Sequence, residues 1–234
     1  MNIKDYLLKL NSESQSILNE SLIFQDELGK AHHYAACIYE FAENINDLSE
    51  KNILNTVSSQ LETSTLNASL GMYRQSFASL RLALEMGLAA AHFSVHKLDF
   101  QDWLAGRADI KWSLLIDDEE GVLSKRFTRA FFEEFTEDVS EYRSKAKTLY
   151  RELSEFVHGN NDTWIESGLE LKYNEDLLKS YFQSIEVVAE VVLYVLCCRY
   201  LKSFSNVMLE SMEFIPEEMK HVHYIREYFG GPRV

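Results

Sequence analysis

An arginine and a histidine lie two helical turns apart in the segment KTLYRELSEFVHGNND, residues 147–162. Seven residues of α-helix advance about 700°, so Arg151 and His158 share one face at about 10.5 Å along the helix axis. A guanidinium binds phosphate oxygens and offsets charge in a transition state, and an imidazole transfers protons near neutral pH. Together they suffice for metal-independent RNA cleavage, in which the 2′-hydroxyl attacks the adjacent phosphorus.

Other polar residues extend this face and follow the predicted helix end. Two basic residues lie one and two turns N-terminal to Arg151, and two asparagines follow Gly159. We interpret these four residues as candidates for substrate binding: Arg143, Lys147, Asn160 and Asn161. The dipole at the helix C-terminus favours a protonated ring at His158, so we expect this side chain to act as the acid.

Two glutamates are candidates for positioning the pair. Glu85 lies four residues after Arg81 among leucines, which predicts a partly buried intrahelical ion pair. We expect Glu85 to orient Arg151 as well, and Glu155, three residues before His158, to support the same pair.

The spacing Arg151-x6-His158 near the end of a helix resembles the R-x(4–6)-H signature of the HEPN superfamily of all-α proteins. The stretch RQSFASLRLALEMG, residues 74–87, also resembles the early bundle helix of such proteins. Many members are RNases of prokaryotic toxin–antitoxin and antiviral defence systems, and two chains typically dimerise so that both motifs line one cleft. The resemblance implies a catalytic Arg151–His158 pair, a homodimer, an RNA substrate, and an antitoxin or defence-system protein as partner.

A noncatalytic interpretation remains open. Active members of that superfamily usually carry Asn, Asp or His after the arginine, where this chain has Glu152. The basic residues would then belong to a solvated helix face with i,i+4 ion pairs, each contributing about 0.3 kcal/mol. On this reading the chain is a helical regulatory or scaffolding protein that binds a partner protein or a nucleotide.

No cofactor is predicted. His92 and His96 are spaced i,i+4 and could share a metal ion, but the sequence shows no third ligand at a distance typical of such sites. The P-loop, dinucleotide-binding, HExxH and GxSxG motifs do not occur in the sequence. We therefore expect neither a metal site nor a bound nucleotide cofactor.

The composition indicates one all-α domain. The 234 residues include only 2 prolines and 9 glycines, which is typical of long helices joined by short turns. We predict a HEPN-like helical bundle over 1–234, with N-terminal helices in 1–70, the core in 72–204 and a C-terminal helical extension in 205–234. A small hairpin or an extended loop is expected near 164–173.

Glycine, proline and capping residues predict where helices begin and end. We expect a break at Gly29, a helix capped by Asp47 or Ser49, and either a break or a continuous helix at Gly71. Asn174 or Asp176 should cap the long apolar helix that runs to about residue 204. One helix with a kink near 136–138 should span 124–158. Pro216 should lie in the first turn of a last helix over 217–229.

Charge and hydropathy bound the partners and the compartment. The net charge of −14 opposes a broad nucleic-acid or anionic-membrane surface, so any phosphate contact should be local. The apolar run 187–201 contains Glu190 and Arg199 and predicts a buried helix or a subunit contact rather than a membrane span. The N-terminus lacks the apolar core of a signal peptide, and the three cysteines lack a CxxC spacing. We therefore expect a cytoplasmic protein without membrane contact.

Overall fold

The computed structural model describes residues 2–158 and 171–232, and every regular element in these ranges is helical. The α-helices in chain order are α1 (Ile3–Ser21), α2 (Gln25–Glu43), α3 (Leu48–Ser69), α4 (Tyr73–Val95), α5 (Lys97–Leu104), α6 (Trp112–Leu115), α7 (Lys125–Phe131), α8 (Val139–His158), α9 (Glu175–Tyr200), α10 (Asn206–Glu210), α11 (Phe214–Glu218) and α12 (His223–Tyr228). Short 3-10 turns lie at 22–24, 133–136 and 201–203. The prediction of an all-α fold is confirmed.

Helices α4 and α9 form the centre of the bundle. Helix α4 packs against α3, α8 and α9, and α2 covers α3 and α9. Gly87 allows the closest approach of α4 to α9, since a Cβ atom built there would lie 2.5 Å from Cγ2 of Val192. Most alanines of α4 and most valines of α9 are almost fully buried: Ala83, Ala89, Ala90, Ala91, Val188, Val191, Val192 and Val195.

Several predicted helix boundaries are confirmed. The Asp47 carboxylate caps α3 by accepting hydrogen bonds from the backbone N–H groups of Ser49 and Glu50, at 2.9 and 3.2 Å. Gly71, with φ of +78°, ends the α3 segment and separates it from α4. The side chain of Asn174 caps α9 by accepting from the Leu177 N–H at 3.0 Å.

The predicted break at Gly29 is wrong. Gly29 lies inside α2, and the chain bends earlier, in the 3-10 turn at 22–24. Nothing lies within 4 Å of a Cβ built at Gly29, so packing does not require glycine there. An isolated glycine in a helix costs only about 1 kcal/mol, and contacts of the flanking residues outweigh that cost.

The predicted single helix over 124–158 is instead two helices, α7 and α8, joined by a 3-10 turn. Phe132 takes an extended conformation, with φ of −153°, that stops α7. The Tyr194 hydroxyl donates to the Phe135 carbonyl at 2.7 Å, which satisfies a backbone group that the break leaves free. Buried contacts with α9 therefore replace helical continuity here.

The predicted last helix over 217–229 is also divided. Pro216 lies in the first turn of α11, as expected, but α11 ends at Glu218 and α12 begins at His223. Met219 and Val222, in the connection, are buried. Burial of these two side chains directs the chain into the core between the helices.

Helix α9 is a core helix. Residues Glu175–Ser203 are long and apolar enough to cross a membrane, but 67% of their apolar window is buried inside the fold. This result confirms the prediction of a buried helix for the run 187–201. The predicted hairpin or loop near 164–173 lies mostly outside the described residues, and 171–173 form neither helix nor strand.

Candidate functional site

Helix α8 presents Arg151 to solvent because its apolar residues follow helical spacing on the opposite face. Tyr142, Ala146, Leu149 and Leu153 are buried against the bundle. The Arg151 side chain is 77% exposed, and its Nε lies 3.9 Å from Oε1 of Glu155. An exposed pair at this distance holds the guanidinium weakly, so the guanidinium is accessible to an anion.

His158, the last residue of α8, is exposed and contacts Arg81 of α4. Nη1 of Arg81 lies 2.9 Å from Nε2 of His158. A guanidinium can only donate, so Nε2 must carry the lone pair and the ring proton must lie on Nδ1. This contact opposes the acid role that the sequence predicted for His158 and favours a role as proton acceptor.

A partly buried hydrogen-bond network fixes Arg81. Its Nη2 donates to the Tyr150 hydroxyl at 2.6 Å, and that hydroxyl donates to Oε1 of Glu85 at 2.8 Å. The Tyr150 ring also stacks on Trp112, with ring centroids 3.9 Å apart and planes within 5°. Burial and the hydrogen bond to Glu85 raise the pKa of Tyr150. Tyr150 therefore remains a donor that positions the two α4 side chains.

Glu85 thus contacts different groups from the one expected. The sequence predicted that Glu85 would orient Arg151, whereas its carboxylate accepts from Tyr150 and lies 3.8 Å from Nη2 of Arg81. The predicted Arg81–Glu85 pair is present and partly buried. Through Arg81, Glu85 positions His158 rather than Arg151.

A second arginine of α4 reaches the end of α8. Nε and Nη2 of Arg74 donate to the carbonyl of Val157 at 3.2 and 2.7 Å, which satisfies a free carbonyl of the last turn. Arg74 and Arg81 of α4 therefore contact the last two residues of α8, and Arg151 lies two turns before the end of α8. The sequence held a signal for the two on α4, since Arg74 and Arg81 are seven residues apart, the same spacing as Arg151 and His158.

The N-terminal half of the basic face meets an acidic loop. Nη1 of Arg143 donates to the Asp118 carbonyl at 3.3 Å. Backbone N–H groups, and beyond them Lys147 and Arg143, lower the pKa of Asp117. The acidic loop therefore partly neutralises Arg143 and Lys147. The positive charge available to a phosphate is greater nearer His158. Asn160 and Asn161 lie outside the described residues.

Helix α8 also borders a groove along α9. Glu152 and Glu155 line it from α8, with Ser180 and Gln183 from α9. The groove is thus acidic on the side that lies beside Arg151. A polyanion that reaches Arg151 would approach from the α4 side, where Arg74 and Arg81 lie.

The structure corrects the sequence analysis at His92 and His96, for which no third ligand was predicted. Asp99 of α5 lies beside them, with its Oδ2 at 3.2 Å from Nε2 of His92. One ligand atom from each of the three residues falls within 4.8 Å of the other two. The signal was present as H-x3-H-x2-D, although the backbone leaves helical geometry at His96, between α4 and α5.

A second polar cluster joins α8, α9 and the segment before α12. Oε1 of Glu190 accepts hydrogen bonds from the Tyr142 hydroxyl at 2.9 Å, Lys145 Nζ at 3.0 Å and His221 Nε2 at 3.0 Å. Burial opposes ionisation of Glu190, but the bonds from His221 and Lys145 outweigh it and lower its pKa to about 2. The cluster stabilises the junction of these elements as an ion-pair network.

The chain was compared with known proteins. No protein-family model matches the sequence, and neither a curated protein nor a solved structure matches it significantly.

Proposed function

We propose that the protein is a cytoplasmic, HEPN-like, metal-independent endoribonuclease that acts as a homodimer within a prokaryotic toxin or phage-defence system. The observation that carries this proposal is the hydrogen bond from Arg81 Nη1 to Nε2 of the exposed His158. It orients a lone pair at the end of α8, beside two further arginines that can bind a phosphate.

The proposed reaction uses His158 as the base. Its Nε2 takes the proton of a ribose 2′-hydroxyl while the 2′-oxygen bonds to the adjacent phosphorus and the bond from phosphorus to the 5′-oxygen breaks. The guanidinium groups of Arg151 and Arg81 bind the nonbridging phosphate oxygens and offset the charge that develops on them. Nη1 of Arg81 turns from Nε2 of His158 to the phosphate, while its Nη2 keeps the bond to the Tyr150 hydroxyl.

A second copy completes the proposed site. The leaving 5′-oxygen requires a proton, and a neutral His158 cannot both accept the first proton and donate this one at the same instant. In the homodimer, His158 of the second copy is protonated once Nη1 of its own Arg81 has left Nε2, and it donates this proton to the 5′-oxygen. The same proposal assigns substrate binding to Arg143, Lys147, Asn160 and Asn161. It also includes restraint of the nuclease by an antitoxin or defence-system protein.

The test is cleavage of single-stranded RNA by the purified protein in EDTA. We expect His158→Ala and Arg151→Ala each to lower the cleavage rate by about 10²-fold or more, the usual contribution of a positioned acid–base or charge-stabilising group. His32→Ala and Arg107→Ala are matched controls, because both side chains are exposed and pair with Glu62 of α3 and Asp102 of α5, not with residues of α8.

A second candidate function is noncatalytic binding of a partner protein or a nucleotide. It is favoured by the two glutamates beside Arg151: Glu155 pairs with it, and Glu152 lines the adjacent groove. Folded protein that binds RNA or a partner but does not cleave RNA, with Arg151→Ala and His158→Ala affecting binding only, would replace the nuclease proposal with this one.

A further inference from the structure

The junction of α4 and α5 brings three metal-binding side chains together, away from the end of α8. His92 lies in the last turn of α4, His96 follows that helix and Asp99 lies in the first turn of α5. Imidazole nitrogens and a carboxylate oxygen form the donor set that Zn²⁺ prefers in proteins.

The distances suit a shared ion. Two ligand atoms bonded to Zn²⁺ at about 2.0–2.1 Å in tetrahedral geometry lie about 3.3 Å apart. Nε2 of His92 and Oδ2 of Asp99 are already 3.2 Å apart. The His96 ring stacks on His92 with centroids 4.2 Å apart, and His96 is exposed, so a rotation of its side chain can bring its nitrogen to the ion.

The protein holds the inner ligands in place before an ion arrives. The His92 side chain is only 5% exposed, so its neighbours hold the ring in place. The Asp99 carboxylate accepts from the His92 ring, so Nε2 of His92 carries the ring proton and gives it up when Zn²⁺ binds. Its Nδ1 is buried and has no hydrogen-bond partner within the described residues.

Aromatic packing fixes α5 against α4. The Phe93 ring lies 5.3 Å from the rings of both Phe100 and Trp103, measured between centroids. Lys97 is held away by ion pairs with Asp47 and Glu50. The position of Asp99 beside His92 is thus set by the packing of its neighbours, and little reorganisation is needed on binding.

We infer that His92, His96 and Asp99 form a three-ligand Zn²⁺ site at the α4–α5 junction, with the fourth position open to solvent. The α4 dipole contributes to the site, because the C-terminus of a helix attracts cations. Ion binding fastens α5 to α4. The site is separate from the proposed RNA cleavage, which needs no metal.

The test is titration of the metal-stripped, full-length protein with Zn²⁺, followed by calorimetry and by competition with a chromophoric chelator. We expect one Zn²⁺ per chain and a rise in melting temperature that EDTA reverses. His96→Ala and Asp99→Asn change exposed side chains and should leave the apo fold intact. Loss of a residue that only hydrogen-bonds to a metal ligand lowers metal affinity roughly 10–100-fold. Each substitution removes a ligand itself, so it should weaken Zn²⁺ binding by at least this factor and abolish the rise in melting temperature.

His33 provides the matched control, because its Nε2 also lies near possible zinc ligands, at 3.1 Å from Oε1 of Glu218 and 3.4 Å from Sγ of Cys37. Zinc affinity should be unchanged in His33→Ala. The proposal is overturned if His96→Ala and Asp99→Asn bind Zn²⁺ like the wild type, if binding is lost in His33→Ala instead, or if the wild type binds no Zn²⁺. If the protein does not cleave RNA, these zinc-binding measurements still test the metal site, because the site is separate from the proposed cleavage.

Discussion

Replacing Glu190 with Gln removes the charge at the centre of the α8–α9 network while keeping its shape. The Glu190 side chain is 19% exposed, and its folded pKa is about 2 against an ordinary value of 4.5. A shift of about 2.5 units at about 1.4 kcal/mol each corresponds to about 3 kcal/mol of stability. We therefore expect Glu190→Gln to lower the free energy of unfolding by about 3 kcal/mol at pH 7.

The sign of the pH dependence follows from the depressed pKa. Stability from the ionised Glu190 is fully present above its unfolded pKa of about 4.5 and is lost as pH falls through about 2. The difference between wild type and Glu190→Gln should therefore fall from about 3 kcal/mol at pH 7 to about 1.4 kcal/mol at pH 3.

The assay is urea denaturation of both proteins at a series of pH values, and the free energy of unfolding is obtained by linear extrapolation. Glu186→Gln is the matched control on the same helix, because the Glu186 side chain is 53% exposed and pairs with the exposed Lys30. It should cost less than about 1 kcal/mol. A Glu190→Gln protein as stable as the wild type at pH 7, or a difference that does not change with acid, would refute the reasoning.

Two further predictions concern packing at α4. Gly87→Ala should destabilise the fold by about 1–2 kcal/mol in thermal unfolding, because the added Cβ would lie 2.5 Å from Val192, which outweighs a helix-propensity gain of about 1 kcal/mol. Adding Val192→Ala to the same chain should reduce this loss. If the effects of the two substitutions simply add, the steric explanation is wrong. Tyr150→Phe should cost about 1–2 kcal/mol in urea denaturation, because Glu85 loses its donor while the stacking on Trp112 remains. An unchanged midpoint would show that the hydroxyl contributes nothing.

The helices were largely predictable because their signals are local. Apolar residues at helical spacing predicted which face of α8 is buried, and the side chains of Asp47 and Asn174 predicted two N-termini. The errors arose where tertiary contacts decide. Gly29 is tolerated inside a helix. The break before α8 is accompanied by a hydrogen bond from the Tyr194 hydroxyl of α9, a contact that local sequence does not reveal.

The candidate site was predictable only in part, since periodicity assigns residues to faces but does not say which helices face each other. Arg151 and His158 were found from their spacing, whereas the contact of Arg81 with His158 joins positions 77 residues apart. The same limit explains why Glu85 was assigned to Arg151 rather than to Tyr150. Asp99 was missed for another reason, since the three metal-binding residues are close in sequence but span two helices.

The proposed nuclease function is tested most directly by the chemical identity of the RNA ends that the protein produces in EDTA. Attack by the 2′-hydroxyl predicts a 2′,3′-cyclic phosphate on one fragment and a 5′-hydroxyl on the other, and both products should form at a rate lower by about 10²-fold or more with His158→Ala. Fragments that end in a 3′-hydroxyl and a 5′-phosphate would contradict the proposed mechanism, and RNA that stays intact with folded protein would contradict the proposed nuclease function.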